Sequence, residues 1–246
     1  MKLDRSIIDY IPARWLERIP DVWVTEIRRT LLSIGLMLER RMVLIMVVDG
    51  LILFTMLISV MTGGGGSPEL YRGAVLPATI VVGALLLGDL VAVERRSGTL
   101  DVALTSPGAG LYFERRALSV AVLIFLQALV VLLFARLFLD PFPLLPVVIY
   151  SLILCLLVAS IGLFWAVRVS SVAAVVIGTI VSTLLLGRWT LADAVSWFKF
   201  GSSVHWSREG MIAWLQGLAV LGVSSILFYA YSRRRLSRPE SLLGEN

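Results

Sequence analysis

The chain has 246 residues, 58% of them hydrophobic and 16% charged, with a formal net charge of +5 and a mean hydropathy of +0.90. Too few polar residues remain to clothe a soluble core of this size, so the composition excludes an ordinary water-soluble domain and points to lipid as the solvent. The single cysteine, Cys155, excludes an intramolecular disulfide framework and a cysteine-based zinc site.

The opening MKLDRSIIDY is charged and the first apolar run begins only at Met42, a pattern unlike a secretory signal peptide. The stretch SIIDYIPARWLERI reads as a short interfacial piece interrupted by Pro12. In DVWVTEIRRTLLSIGLMLER, residues Val24, Ile27, Leu31, Ile34 and Leu38 recur at three-and-four spacing, which makes one apolar stripe on a helix. Asp21, after Pro20, suits its N-cap. A basic amphipathic helix beside a membrane span belongs in the cytoplasmic interface, although the same stripe would also suit a soluble partner. Residues 1–41 are therefore expected to form cytoplasmic, interfacial helices.

Six apolar runs follow, at about 42–61, 74–93, 117–139, 145–167, 172–190 and 211–231. A helix of roughly 20 apolar residues crosses a hydrocarbon core of about 30 Å. The expected fold is thus an all-α integral membrane protein with a six-span domain over 42–231. The glycine run in TGGGGSPELYRG reads as a linker, because no P-loop lysine accompanies it. DPFPLLP reads as a tight, proline-stiffened turn. Between spans five and six, residues 187–210 carry Trp189, Trp197, Phe198, Phe200 and Trp206 among scattered charges. These predict a short re-entrant or interfacial element, and an aromatic belt alone would give the same composition. His205 near Ser203 has no acid to orient it and no G-x-S-x-G elbow, and no H-E-x-x-H is present, so no catalytic or metal site is expected.

With the N-terminus placed in the cytoplasm, the inner segments hold seventeen of the 22 basic residues: eight before span one, then Arg95, Arg96, Arg115, Arg116, Arg168, Arg233, Arg234, Arg235 and Arg238. The outer segments hold Arg72, Arg188, Lys199 and Arg208, and Arg136 lies near the outer end of span three. Basic loops resist translocation, so both termini, including the tail 232–246, are expected in the cytoplasm of a multi-pass cell-membrane protein. The basic surplus then marks topology and contact with anionic membrane lipid, with no nucleic acid partner implied.

On that inner side, residues 94–116 form a charged island between spans two and three. Thr99 suits an N-cap, Leu100, Ala103 and Leu104 share one side, Asp101 points elsewhere, and Ser106-Pro107-Gly108 stops the segment. Two helical turns are barely stable alone, so the piece needs bracing by its own spans or by a cytoplasmic partner. An ordinary solvated loop remains the plain alternative. Two acids lie within apolar runs: Asp49 about two turns into span one, and Asp89 near the inner end of span two. A buried acid must be paired or hydrated. Structural pairing, with Arg40, Arg41 or Arg95 in reach, stands beside a place on a translocation path. Gln127 and the small residues of GTIVSTLLLG are expected to serve helix packing.

The six-run layout, the amphipathic helix before it and the string ERRSGTLDVALTSP together resemble the ABC-2 type exporter permeases. The resemblance covers nearly the whole chain in layout and places Glu94, Gly98, Thr99, Leu100, Asp101, Ser106 and Pro107 on the family's loop pattern. It implies that this segment, with Leu104, is a coupling helix docking on a separate ABC ATPase subunit, where ATP and magnesium would bind. It further implies a second permease chain, identical or not, and no cofactor or catalytic residue in this chain. Two rivals share parts of the pattern. One is the haem-exporter membrane subunit of cytochrome c maturation, for which an N-terminal extension of about forty residues is long. The other is a non-transporting membrane scaffold.

Overall fold

A computed structural model describes residues 75–96, 109–138, 144–169, 171–194 and 208–237, together with residues 43, 46–52, 54, 55 and 58. Among the described residues all regular structure is helical. The six helices are α1 within 43–58, α2 (Leu76–Arg96), α3 (Ala109–Phe138), α4 (Leu144–Ala166), α5 (Val172–Ala194) and α6 (Arg208–Leu236). Each apolar run overlaps one of them. The interfacial helices expected over 1–41 lie outside the described residues.

Prolines mark several boundaries. Pro77 and Pro146 sit in the first turns of α2 and α4, where a missing N–H costs no intrahelical bond. Pro141 and Pro143 follow the end of α3. Between α4 and α5 the chain reverses within five residues. Val167 and Val169 N–H donate to the carbonyls of Leu163 and Trp165, and Val175 N–H donates back to Ser171. Ser171 therefore occupies the N-cap position of α5.

Helix α4 is the hub, packing against α2, α3, α5 and α6. Glycines let backbones approach at these crossings, as expected for helices held by close packing in lipid. A Cβ at Gly83 of α2 would stand 2.7 Å from Val158 Cγ1 of α4. One at Gly178 of α5 would meet the Trp165 ring of α4 at 2.6 Å. One at Gly162 of α4 would run into the Leu87 side chain of α2. The contacts Gly83–Val158 and Leu87–Gly162 advance together along both helices, so α2 and α4 are parallel. Contacts Ser160–Ser225 and Phe164–Phe228 make α6 parallel to α4 as well. Helices α3 and α5 run the other way.

Hydroxyls inside this apolar interior are satisfied locally. Thr79, Ser119, Ser160, Thr179, Thr183 and Ser232 each donate to the carbonyl four residues earlier, at 2.7 to 2.9 Å. Such back-bonding removes the cost of burying a bare hydroxyl. The core joins Phe113, Ile124, Leu154, Leu157, Ile161 and Leu163 with Leu87 and Leu221. Among the described residues, three stretches are long and apolar enough to cross a membrane: Leu111–Phe134, Leu144–Ala166 and Trp214–Leu236. Helices α2 and α5 carry shorter apolar stretches, Leu76–Gly88 and Val172–Leu186.

Candidate functional site

The helix directions bring the end of α2, the start of α3, the α4–α5 turn and the end of α6 to one end of the bundle. Arg115, Arg116, Arg168, Arg233, Arg234 and Arg235 therefore collect there. The charge asymmetry of the sequence thus becomes a basic end. The island opens from this end: the backbone of Glu94 lies in the last turn of α2 and α3 begins at Ala109. The side chains of Asp89 and Glu94 lie outside the described residues. So do Gly98, Thr99, Leu100, Asp101, Leu104, Ser106 and Pro107.

Helix α3 starts eight residues earlier than the apolar run 117–139 indicates, taking in Glu114, Arg115 and Arg116. Glu114 is largely covered, with its side chain 12% exposed, and its partners come from α6. Tyr229 Oη donates to Glu114 Oε2 at 2.8 Å, and Arg233 Nε lies 3.8 Å from Glu114 Oε1. This pairing links α3 to α6 through two residues 115 positions apart. Arg116 reaches its own helix, donating to Tyr112 Oη at 3.3 Å with its guanidinium 5.8 Å from that ring's centre. Arg235 Nη1 donates to the Val167 carbonyl at 3.4 Å, tying the end of α6 to the α4–α5 turn. Arg168 lies 5.6 Å from the centre of the Phe164 ring, which packs edge-on against Phe228 and Trp165. The basic end is therefore cross-braced by carboxylate, carbonyl and ring contacts.

Among the described residues Asp49 is partnered by Gln127; the side chains of Arg40, Arg41 and Arg95 lie outside the described residues. Gln127 Nε2 of α3 donates to Asp49 Oδ1 of α1 at 2.6 Å, while Gln127 Oε1 is buried with no hydrogen-bond partner among the described residues. The bond makes Gln127 a polar clamp between helices, consistent with its expected packing role. The small residues of α5 also act in packing. Gly178 lies against Trp165, whose Nε1 donates to Ser182 Oγ at 3.1 Å.

Helices α3 and α6 touch only lightly, leaving between them, above α4, a cleft of about 490 Å³. It runs from Glu114 and Arg115 at the basic end past the hydrogen-bonded pair Ser160–Ser225, whose oxygens are 3.0 Å apart. Sequence reasoning missed this cleft because Ser225 and Tyr229 belong to no motif in an apolar helix. Only their shared spacing of four residues, which puts them on one face, hints at it. The expected re-entrant element over 187–210 is partly absorbed: residues 187–194 are the last turns of α5 and α6 begins at Arg208. Residues 195–207 lie outside the described residues. No protein-family model, curated protein or solved structure gives a significant match to the chain.

Proposed function

We propose that this chain is the membrane permease subunit of an ATP-driven exporter of the ABC-2 type. In this reading all six helices cross the cell membrane, both termini are cytoplasmic, and the basic end faces the cytoplasm. Two such chains form the translocation path, and separate ATPase subunits supply the power. The observation that carries the reading is the string ERRSGTLDVALTSP, strung between the end of α2 and the start of α3 at the basic end.

The physical logic is a lever. Leu100 and Leu104 fill an apolar groove on the ATPase while Glu94 and Asp101 meet basic groups at its rim. Contacts that differ between the ATP-bound and ATP-free partner then do work on α2 and α3. The Glu114–Tyr229 bond passes displacement of α3 to α6, and Arg235 passes it to the α4–α5 turn. Asp49, bonded to Gln127, joins α1 to the same body.

The test is purification of the chain from its native membrane together with any ATP-binding chain that accompanies it, followed by reconstitution of the complex into vesicles. Leu100→Asp and Gly98→Pro are expected to leave the permease in the membrane at normal levels. They lower coupled ATP hydrolysis by a factor in the range of about 5 to 150, the span of ordinary allosteric coupling. Undiminished coupling in both variants, or failure of any ATP-binding chain to co-purify, overturns the reading.

A further inference from the structure

We infer that the cleft between α3, α4 and α6 is a binding site for an anionic phospholipid of the leaflet at the basic end. One acyl chain lies in the cleft and the headgroup phosphate lies at Arg115 and Arg233. The inference rests on the chain's crossing a bilayer and is independent of the exporter reading.

The mouth of the cleft is made by Leu118 and Ile226, which are 48% and 66% exposed. Both lie inside stretches long and apolar enough to span a membrane, so the mouth opens sideways into hydrocarbon. The volume of about 490 Å³ falls in the ordinary range for a small-molecule site, about 300–1,000 Å³. Its lining is mostly apolar, and alanines 117, 121 and 159 keep it open.

The polar groups along the lining are already committed. Ser160 Oγ donates to the Leu156 carbonyl, Ser225 Oγ is bonded to Ser160 Oγ, and Tyr229 Oη is bonded to Glu114. An occupant therefore has to supply no hydrogen bonds along the wall, which suits an alkyl chain. The demand for charge lies at the inner end. There Glu114 already has Tyr229 and Arg233 beside it, while Arg115, Arg116, Arg234 and Arg235 add further positive charge from α3 and α6. A cleft that is dry within and positive at its inner end matches an anionic lipid, since basic pockets between membrane helices draw acidic headgroups.

The test uses the full-length protein in phosphatidylcholine vesicles containing either phosphatidylglycerol or phosphatidylcholine with a photoreactive diazirine on one acyl chain. Cross-linked peptides are mapped by mass spectrometry. Phosphatidylglycerol is expected to label the α3 and α6 residues facing the cleft about fivefold more than phosphatidylcholine does, with Arg233→Gln removing that preference. Ile226→Trp and, separately, Leu118→Trp fill the mouth from exposed positions and are expected to lower cleft labelling roughly tenfold. Labelling spread evenly around the bundle and unchanged by either tryptophan means ordinary surrounding lipid only, and overturns the inference. Equal labelling by both lipids overturns it as well, as does a second copy of the chain cross-linked across the mouth. The coupling variant Leu100→Asp is expected to leave the labelling unchanged, which separates this inference from the exporter reading.

Discussion

Helices α4 and α6 are both long and apolar enough to cross a membrane, yet 67% of the spanning window of α4 is buried against 22% of that of α6. Helix α4 is the more apolar of the two, but hydropathy alone does not say which helix is enclosed, because lipid and protein neighbours are equally apolar surroundings for a leucine. Shape says it. Gly162 of α4 is pressed by Leu87, whereas a Cβ at Gly222 of α6 would meet nothing within 4 Å. The two helices also spend their polar groups differently. Helix α4 offers small hydroxyls that bond inward, and α6 brings Tyr229, Arg233 and Arg235 to brace its neighbours. A central helix is recognised by what it cannot enlarge, and a peripheral one by what it reaches for.

The most severe break of this contrast is expected from Gly162→Val. Overpacking the α2–α4 crossing is expected to cost about 3 kcal/mol, read as a lowered unfolding temperature of the detergent-purified protein. The matching Gly222→Val is expected to change the stability of the single chain by less than about 0.5 kcal/mol. Loss of a dimer on gel filtration in that variant alone would place the second chain on α6. Next in size is the α3–α6 brace. A double-mutant cycle of Glu114→Gln with Tyr229→Phe is expected to return a coupling of about 1 kcal/mol, because the bond is charge-assisted but close to water. A coupling near zero would mean that α6 is held by packing alone. The smallest effect is expected at Asp49 and Gln127. The cycle of Asp49→Asn with Gln127→Leu is expected to give roughly 0.6 kcal/mol, the ordinary worth of a hydrogen bond between membrane helices.

Much of the helical layout was legible because apolar length is a strong signal: the run at 145–167 meets α4 at Leu144–Ala166 within a residue at each end. The inner ends of α3 and α6 were not. Both helices continue past the apolar run into arginines, since a charge at the end of a span can remain at the interface and Glu114 finds Tyr229 there. The partner of Asp49 was equally hidden. A glutamine 78 positions away leaves no local pattern, and proximity in sequence favoured arginines. The serine pair 160 and 225 escaped for the same reason, as neither helix shows a polar stripe. The island of 94–107 was the reverse case, a segment whose reading comes from its motif, with Gly98–Pro107 outside the described residues.

The parallel crossing of α2 and α4 carries a consequence for how the chain is made. Gly83 and Leu87 are synthesised 75 residues before the Val158 and Gly162 that they respectively fit. During that interval the notch on α2 has no tenant, and the hairpin of α3 and α4 must swing back to occupy it. Ribosomal pausing after α4, or truncation before it, is therefore expected to leave a nascent chain whose earliest helices are inserted but not yet docked, and so exposed to quality-control proteases.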